Sequence, residues 1–278
     1  MQKPLAWWIA KKRAPKSQGY YRQIGGGSPL NQITAQQCEA LEQALRVDGS
    51  FRVVMAMRYW KPYAKEVLAE LAARGVKRLI ALTLYPHYSI ATTGSSLRDL
   101  QDVMAAMPEQ FELAKIAFWP DQRAYVDCLV QRIQKGLSEK EGTEVVYSAH
   151  SLPVKFIDEG DPYLDHLKRT IRAIEDKTGV RGHLCFQSRS GPVEWLSPST
   201  PDTIEALAKK GCKRMLMVPI SFVSDHVETL CEIDIQYKEL AAGFGVELER
   251  TPSLNDDPGF IKALKELVLA ACHEKGWD

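Results

Sequence analysis

The segment 225–236 carries acidic and amide side chains at regular spacing. Asp225, Glu228, Glu232 and Gln236 recur at intervals of three and four residues, which places them along one stripe of a helix. The helix dipole favours acidic residues in a first turn, which accounts for Asp225 and Glu228 but not for Glu232. The stripe therefore predicts a path for cations or protons, with a solvent-exposed acidic face as the alternative, above all for Glu232.

A histidine follows one of the apolar runs of strand length. His150 comes shortly after the strand predicted over 144–148 and precedes Ser151, Leu152 and Pro153. Ligands in open α/β sheets bind beyond the carboxyl ends of strands, so this is a favourable place for a functional side chain. Imidazole has a reference pKa of ~6.5 and can accept a proton near neutral pH. His150 is therefore a candidate general base, although a capping or hydrogen-bonded buried histidine is the alternative.

Charge and cysteine usage exclude several classes of protein. The 278 residues include 36 Lys and Arg against 35 Asp and Glu, which excludes the basic surface of a nucleic-acid-binding protein. No apolar run approaches the ~18 residues that a membrane-spanning helix needs. The six cysteines form no C-x-x-C pair, so neither a zinc ribbon nor a thioredoxin-like motif is present. Scattered cysteines of this kind favour a reducing compartment, and we expect a cytoplasmic protein.

Apolar runs of strand length alternate with amphipathic segments of helix length, which predicts an α/β fold. We expect two doubly wound domains of similar topology with mostly parallel sheets: a first over 1–118, and a second over 119–257 that carries His150 and Glu228. The last helix, within 258–278, is expected to pack back on the first domain. The predicted strands are 51–57, 78–84, 113–118, 144–148, 183–187, 215–220 and 246–249. The predicted helices are 35–45, 62–74, 97–106, 121–137, 163–177, 201–210, 227–242 and 258–275.

The loops that follow the predicted strands together resemble the ferrochelatase family, which inserts ferrous iron into a porphyrin at the end of haem biosynthesis. The resemblance extends from about Pro4 to Leu269. It implies an enzyme, a metal chelatase, with the porphyrin bound in a cleft between two α/β domains and Fe²⁺ as its second substrate. The matching strings are YPHYSIATTGSS from Tyr85, SAHSLP from Ser148, GDPY from Gly160, QS at Gln187 with GP at Gly191 and WL at Trp195, and SDHVETLCEID from Ser224.

The resemblance also implies roles for individual residues. His150 matches the essential histidine of the family, and Glu228 matches the glutamate on the same side of the macrocycle. We assign His150 as proton acceptor and Glu228 as its support, with Asp225 and Glu232 relaying protons or metal to solvent. The alternative makes His150 a ligand of the incoming metal, together with Glu228.

Other matching residues are expected to hold the porphyrin. Arg58 and Tyr59 match residues on the opposite face of the ring, near the proposed metal entry, and Tyr88 and Trp195 are further expected contacts. The propionates would be held by Arg13, Lys16 and Ser28, a set that favours protoporphyrin IX over coproporphyrin. Two alternatives remain: a related chelatase for another tetrapyrrole or metal, and a shortened paralogue that binds porphyrin or haem without metallating it.

The start of the chain and its cofactors give the last expectations. Trp7, Trp8 and Ile9 match an apolar lip, which predicts peripheral contact with the inner face of the membrane. No permanently bound cofactor is expected, because Ile90 stands where some relatives have a cysteine ligand of a two-iron, two-sulfur cluster. Family members also open with a strand and loop ahead of the residue that matches Pro4. We therefore expect the encoded protein to begin upstream of Met1, or this form to have low activity.

Overall fold

The computed structural model describes residues 14–15, 18–138 and 141–277. Five residues with expected roles lie outside this part of the chain: Trp7, Trp8, Ile9, Arg13 and Lys16. Among the described residues, no helix is both long enough and apolar enough to cross a membrane.

Strands and helices alternate along the described chain, as expected. The strands are β1 (Arg78–Leu82), β2 (Glu112–Ile116), β3 (Thr143–His150), β4 (Gly182–Gln187), β5 (Arg214–Pro219) and β6 (Glu247–Arg250). Residues 14–15 and 18–23 are helical. The α-helices that follow them are α1 (Leu30–Leu45), α2 (Ala64–Ala73), α3 (Ser95–Ala105), α4 (Arg123–Ser138), α5 (Val154–Asp158), α6 (Tyr163–Thr178), α7 (Thr200–Lys209), α8 (Lys238–Gly243) and α9 (Pro258–Lys275). Two segments are π-helices, π1 (Ile90–Gly94) and π2 (Glu228–Tyr237).

The strands form two parallel sheets, which confirms the predicted α/β class. One sheet pairs β1 with β2, and the other has the strand order β4-β3-β5-β6. Alternate residues of β3 enter different cores: Val145 and Tyr147 pack on one face of the sheet, and Val146 packs on the other. Burial on both faces explains why this strand is a nearly continuous apolar run. The sheet therefore presents the carboxyl end of β3, and with it His150, at a fixed edge.

The prediction of a strand over 51–57 is wrong. Residues 51–56 belong to no strand, and Met57 makes only an isolated bridge with Tyr63. Phe51 and Val53 pack against the larger core while Val54 is exposed, so the segment has the alternation of a strand with one covered face. A strand also needs a neighbour for its N–H and C=O groups, and no described strand pairs with this segment. The alternation of apolar residues in this segment therefore reflects packing against the core and not pairing with a neighbouring strand.

The helix predicted over 227–242 differs in type from the expected α-helix. It begins as π2, whose hydrogen bonds join residues five apart, and continues as α8. A π-helix changes which side chains share a face, so spacing of three and four residues no longer defines one stripe. Isolated π-turns occur frequently at functional sites, and π2 carries both Glu228 and Glu232.

The last helix packs beside the first sheet. Asp257 caps α9, because its Oδ1 accepts the backbone N–H groups of Gly259 at 2.8 Å and Phe260 at 3.3 Å. The helix lies against α1, α4 and β2. Lys265 joins it to the end of α1 by donating to the carbonyl of Ala44 at 3.0 Å. These contacts connect the C-terminal segment to the first sheet.

Candidate active site

His150 is held by three hydrogen bonds at the carboxyl end of β3. Its backbone N–H donates to Ser221 Oγ at 2.9 Å, and its carbonyl accepts the Tyr163 hydroxyl at 2.9 Å. Its ring Nδ1 lies 2.7 Å from the carbonyl oxygen of Ser151. A carbonyl can only accept, so Nδ1 carries the proton and Nε2 is the acceptor nitrogen of the neutral ring. The local backbone thus fixes the tautomer that a proton acceptor requires.

Glu232 is anchored by the end of β4 and the loop behind it. Its Oε2 accepts the Ser188 hydroxyl at 2.7 Å and the Gln187 side-chain amide at 3.2 Å. Burial raises the pKa of Glu232 and the Glu228 carboxylate adds to the rise, while the Ser188 hydrogen bond and His150 oppose it. The Gln187 side-chain amide also donates to the Glu228 carbonyl at 3.1 Å, and Gln187 is the β4 partner of His150. The structure therefore brings together three of the predicted site residues.

Glu228 lies beside a histidine that sequence analysis did not assign to the site. The Nε2 atom of His226 is 3.0 Å from Glu228 Oε2, but it is not aligned for a hydrogen bond. Nδ1 of His226 donates to the Ser224 carbonyl at 2.9 Å. Burial lowers the pKa of His226, and the Glu228 carboxylate opposes that shift. The ring centroid of Phe222 is 4.2 Å from that of His226 and 6.2 Å from that of His150. In the sequence, His226 could have been found as a site residue because it lies in the SDHVE string from Ser224 that matches the family.

A second group of predicted residues gathers around the start of α3. Arg58 donates to Ser95 Oγ at 3.2 Å and pairs with Asp99 at 3.3 Å, and its guanidinium lies 5.0 Å from the Tyr59 ring centroid. The Tyr59 hydroxyl is 3.1 Å from the same Ser95 oxygen. Tyr59 remains 73% exposed, so its ring is available for contact with a flat ligand.

Tyr85 follows the first sheet and is 41% exposed. Burial raises the pKa of Tyr85, and both Tyr59 and Glu228 add to that rise. Tyr85 follows β1 of the first sheet, whereas Glu228 follows β5 of the second. Both residues therefore lie beyond the carboxyl ends of parallel strands, where ligands bind in open α/β sheets.

Asp161 joins the loop before α6 to the start of π1. Its Oδ2 accepts the Ser89 hydroxyl at 2.9 Å and the Ile90 N–H at 2.7 Å, while its Oδ1 accepts the Tyr163 N–H at 3.0 Å. Tyr88, an expected porphyrin contact, donates its N–H to His166 Nδ1 at 3.1 Å nearby. Tyr163 in turn holds the carbonyl of His150. Asp161 therefore connects the segment that carries Tyr88 with the segment that supports His150.

Replacing Asp161 with alanine is expected to lower the free energy of unfolding by about 1–2 kcal/mol, because three donors lose their acceptor. Urea denaturation would measure the change. Asp165→Ala is the matched control, since Asp165 is 81% exposed and its ion pair with Lys168 is long, at 3.9 Å. Its effect is expected within about 0.5 kcal/mol. Equal effects of the two substitutions would contradict the connecting role of Asp161.

The two remaining residues of the predicted stripe, Asp225 and Gln236, bind other partners. The Asp225 carboxylate accepts hydrogen bonds from Thr229, Ser253 and Asn255 and pairs with Arg250. Its role in the relay stays a prediction. Gln236, at the end of the expected stripe, donates to Cys231 Sγ.

Trp195 and Ser28 also have local partners. Trp195 is half-buried and bridges to Pro153, close to the loop that follows His150. Ser28 is exposed, and its hydroxyl accepts the Leu30 N–H at the start of α1 at 3.3 Å. In the described part of the chain, no group of three or more His, Cys, Asp or Glu side chains has metal-binding geometry.

Comparisons with known proteins identify the family. The ferrochelatase family model matches residues 1–272. A ferrochelatase of Desulfotalea psychrophila is 58% identical over 97% of this chain and 85% of its own length. A ferrochelatase of Geotalea uraniireducens is 52% identical over 96% of this chain and 85% of its own.

Solved structures show the same architecture at low sequence identity. SirB from Bacillus subtilis, solved with Fe³⁺, has a TM-score of 0.65 at 14% identity and covers 88% of this chain and 93% of its own. Identity at this level shows the fold alone. Together with the sequence relatives, these findings confirm the expected α/β fold and the expected enzyme class. The chain therefore belongs to the ferrochelatase family, the metal chelatases that insert iron into porphyrin to give haem.

Proposed function

We propose that this chain inserts Fe²⁺ into protoporphyrin IX, with His150 Nε2 as the acceptor of the protons that leave the pyrrole nitrogens. The observation that carries the proposal is the hydrogen bond from His150 Nδ1 to the Ser151 carbonyl at 2.7 Å. It leaves Nε2 as the acceptor nitrogen of the imidazole, and Gln187, the β4 partner of His150, binds both Glu228 and Glu232. The reaction balances as porphyrin plus Fe²⁺ giving haem plus two protons, so a base and an exit for protons are both required.

Protons would leave His150 by way of the acidic side chains of π2. Glu228 balances the positive charge that His150 gains, and Glu232 takes protons onward past Ser188. The raised pKa of Glu232 supports this role, because it brings the carboxyl closer to a state in which it can hold and release a proton. The Arg250 cation 3.1 Å from Asp225 favours the ionised form of that carboxylate, whereas burial raises the pKa of Glu232, so Glu232 has the stronger support as a relay residue.

The porphyrin would lie between the His150 side and the Arg58 and Tyr59 side of the site. A flat macrocycle presents its nitrogen lone pairs poorly to a metal, so a site that bends the ring favours the transition state over the ground state. Tyr88 and Trp195 would add contacts to the ring. Arg13, Lys16 and Ser28 would hold the propionates, which is the basis for proposing protoporphyrin rather than coproporphyrin.

The substrate is tested by an anaerobic assay with Fe²⁺ and each porphyrin in turn. We expect a higher kcat/KM for protoporphyrin IX than for coproporphyrin. A higher value for coproporphyrin would overturn the substrate assignment, and porphyrin binding without haem formation would overturn the proposed reaction.

We also infer that the enzyme is cytoplasmic and contacts the inner face of the membrane through Trp7, Trp8 and Ile9. Two neighbouring tryptophans followed by the basic run Lys11-Lys12-Arg13 suit an anionic lipid surface. Flotation with vesicles of anionic phospholipid tests this inference. Loss of flotation in the double variant Trp7→Ser, Trp8→Ser is expected, and equal flotation of both proteins would overturn it.

No iron–sulfur cluster is expected in the purified enzyme. Ile90 has no ligand atom in its side chain, and Cys272 is buried in α9. Protein prepared anaerobically should therefore contain no stoichiometric sulfide and show no visible absorption from a cluster. A chelator should leave the thermal midpoint unchanged. Equimolar iron and sulfide in the preparation would refute this expectation.

A further inference from the structure

One guanidinium group bridges the two ends of the segment that carries the acidic site residues. Arg250 ends β6, and its side chain is only 10% exposed. Its Nε and Nη2 donate to the two carboxylate oxygens of Asp234 at 2.9 and 2.8 Å. Its Nη1 lies 3.1 Å from Asp225 Oδ1 and also contacts the Thr251 carbonyl and Ser253 Oγ. The Arg250 guanidinium therefore binds two carboxylates.

The two carboxylates enclose the site residues in sequence. Asp225 lies three residues before Glu228, and Asp234 lies two residues after Glu232. The planar guanidinium binds Asp234 through two parallel hydrogen bonds, a geometry that fixes direction as well as distance. The loop just before π2 and the middle of π2 are therefore attached to the same guanidinium group, at the carboxyl end of β6 in the second sheet.

We infer that Arg250 is a positioning residue for metallation, which orients Glu228 and Glu232 toward His150 by holding Asp225 and Asp234. This inference rests on the proposed function, in which those two glutamates assist His150. Arg250 contacts neither glutamate, so its effect is transmitted through the backbone of π2. Misplacement of a catalytic group by about 1 Å can cost on the order of 10²-fold in rate.

Arg250→Lys is the sharpest test, because lysine keeps the charge but cannot bind both carboxylates with a planar fork. We expect the single-turnover rate of haem formation to fall by about 10- to 100-fold, with the porphyrin Kd unchanged. Arg132→Met is the matched control. Arg132 lies in α4, is 15% exposed, and binds Asp257 at 3.2 Å and the Pro252 carbonyl at 3.2 Å. This control is expected to have a lower thermal midpoint. At temperatures well below that midpoint it is expected to form haem at the wild-type rate.

A double variant separates positioning from simple loss of stability. Arg250→Met leaves Asp234 without its cation, whereas Arg250→Met with Asp234→Asn removes the uncompensated charge, and Asp225 keeps three other donors. We expect the double variant to recover much of the thermal midpoint while its rate stays low. Recovery of the rate together with the midpoint would overturn the inference.

The glutamate variants distinguish failure of this inference from failure of the proposed function. A wild-type rate in Arg250→Lys alongside a slow Glu228→Gln would overturn only the positioning role of Arg250. Wild-type rates in both Glu228→Gln and Glu232→Gln would overturn the role proposed for the two glutamates, and the positioning role with it.

Discussion

Replacing His150 with alanine is expected to lower the rate of metallation by about 10²–10⁴-fold and to leave porphyrin binding nearly intact. The imidazole is the acceptor in the proposed mechanism, and its Nδ1 proton is committed to the Ser151 carbonyl. Porphyrin affinity should come chiefly from ring contacts and propionate contacts, which this change leaves in place. Stopped-flow absorbance would measure haem formation, and fluorescence quenching would measure the porphyrin Kd.

His183→Ala is the matched control for this prediction. His183 lies on β4 in the same sheet, is 43% exposed and pairs with Glu144 at 3.1 Å. We expect it to metallate porphyrin at the wild-type rate. Replacing Fe²⁺ with Zn²⁺ separates the two roles considered for His150. A proton acceptor predicts a similar loss with both metals, whereas a metal ligand predicts a loss that depends on the metal.

The second large effect is expected at the glutamates of π2. Glu228→Gln should slow metallation on the order of 10²-fold, and Glu232→Gln should slow it less. Glu228 would balance the positive charge on His150. Glu232 would receive protons after Glu228, and its carboxylate accepts hydrogen bonds from Ser188 and Gln187. Single-turnover rates at saturating porphyrin would give the order of the two effects.

Glu239→Gln provides the control for the glutamate variants, because Glu239 is exposed on α8 just beyond π2. Its rate is expected to equal that of the wild type. A larger loss in Glu232→Gln than in Glu228→Gln would contradict the proposed direction of proton movement and would place the inner site further along the helix.

The second sheet could be predicted because its strands are buried on both faces. Such strands are continuous apolar runs, and helices with Pro or Gly near their ends separate them. The position of His150 at the end of β3 followed directly from this pattern. The strand expected over 51–57 failed because alternation records which side chains are covered, while a strand also requires a paired neighbour.

The acidic stripe predicted over 225–236 shows what residue spacing alone cannot predict. Asp225, Glu228 and Glu232 were expected on one helical face, but the segment forms a π-helix and Arg250, 25 residues beyond Asp225, pairs with its carboxylate. Neither the change of helix type nor a long-range ion pair leaves a local signal in the sequence. The bond from Tyr163 to the His150 carbonyl was equally hidden, because it depends on how α6 packs against β3.

The most direct test of the central claim records haem absorbance and proton release together when Fe²⁺ is mixed anaerobically with the preformed complex of enzyme and protoporphyrin. The wild type is predicted to form haem and to release two protons per haem. His150→Ala is predicted to keep the porphyrin bound and to give neither signal on the same timescale. Haem formation by His150→Ala at the wild-type rate would contradict the account.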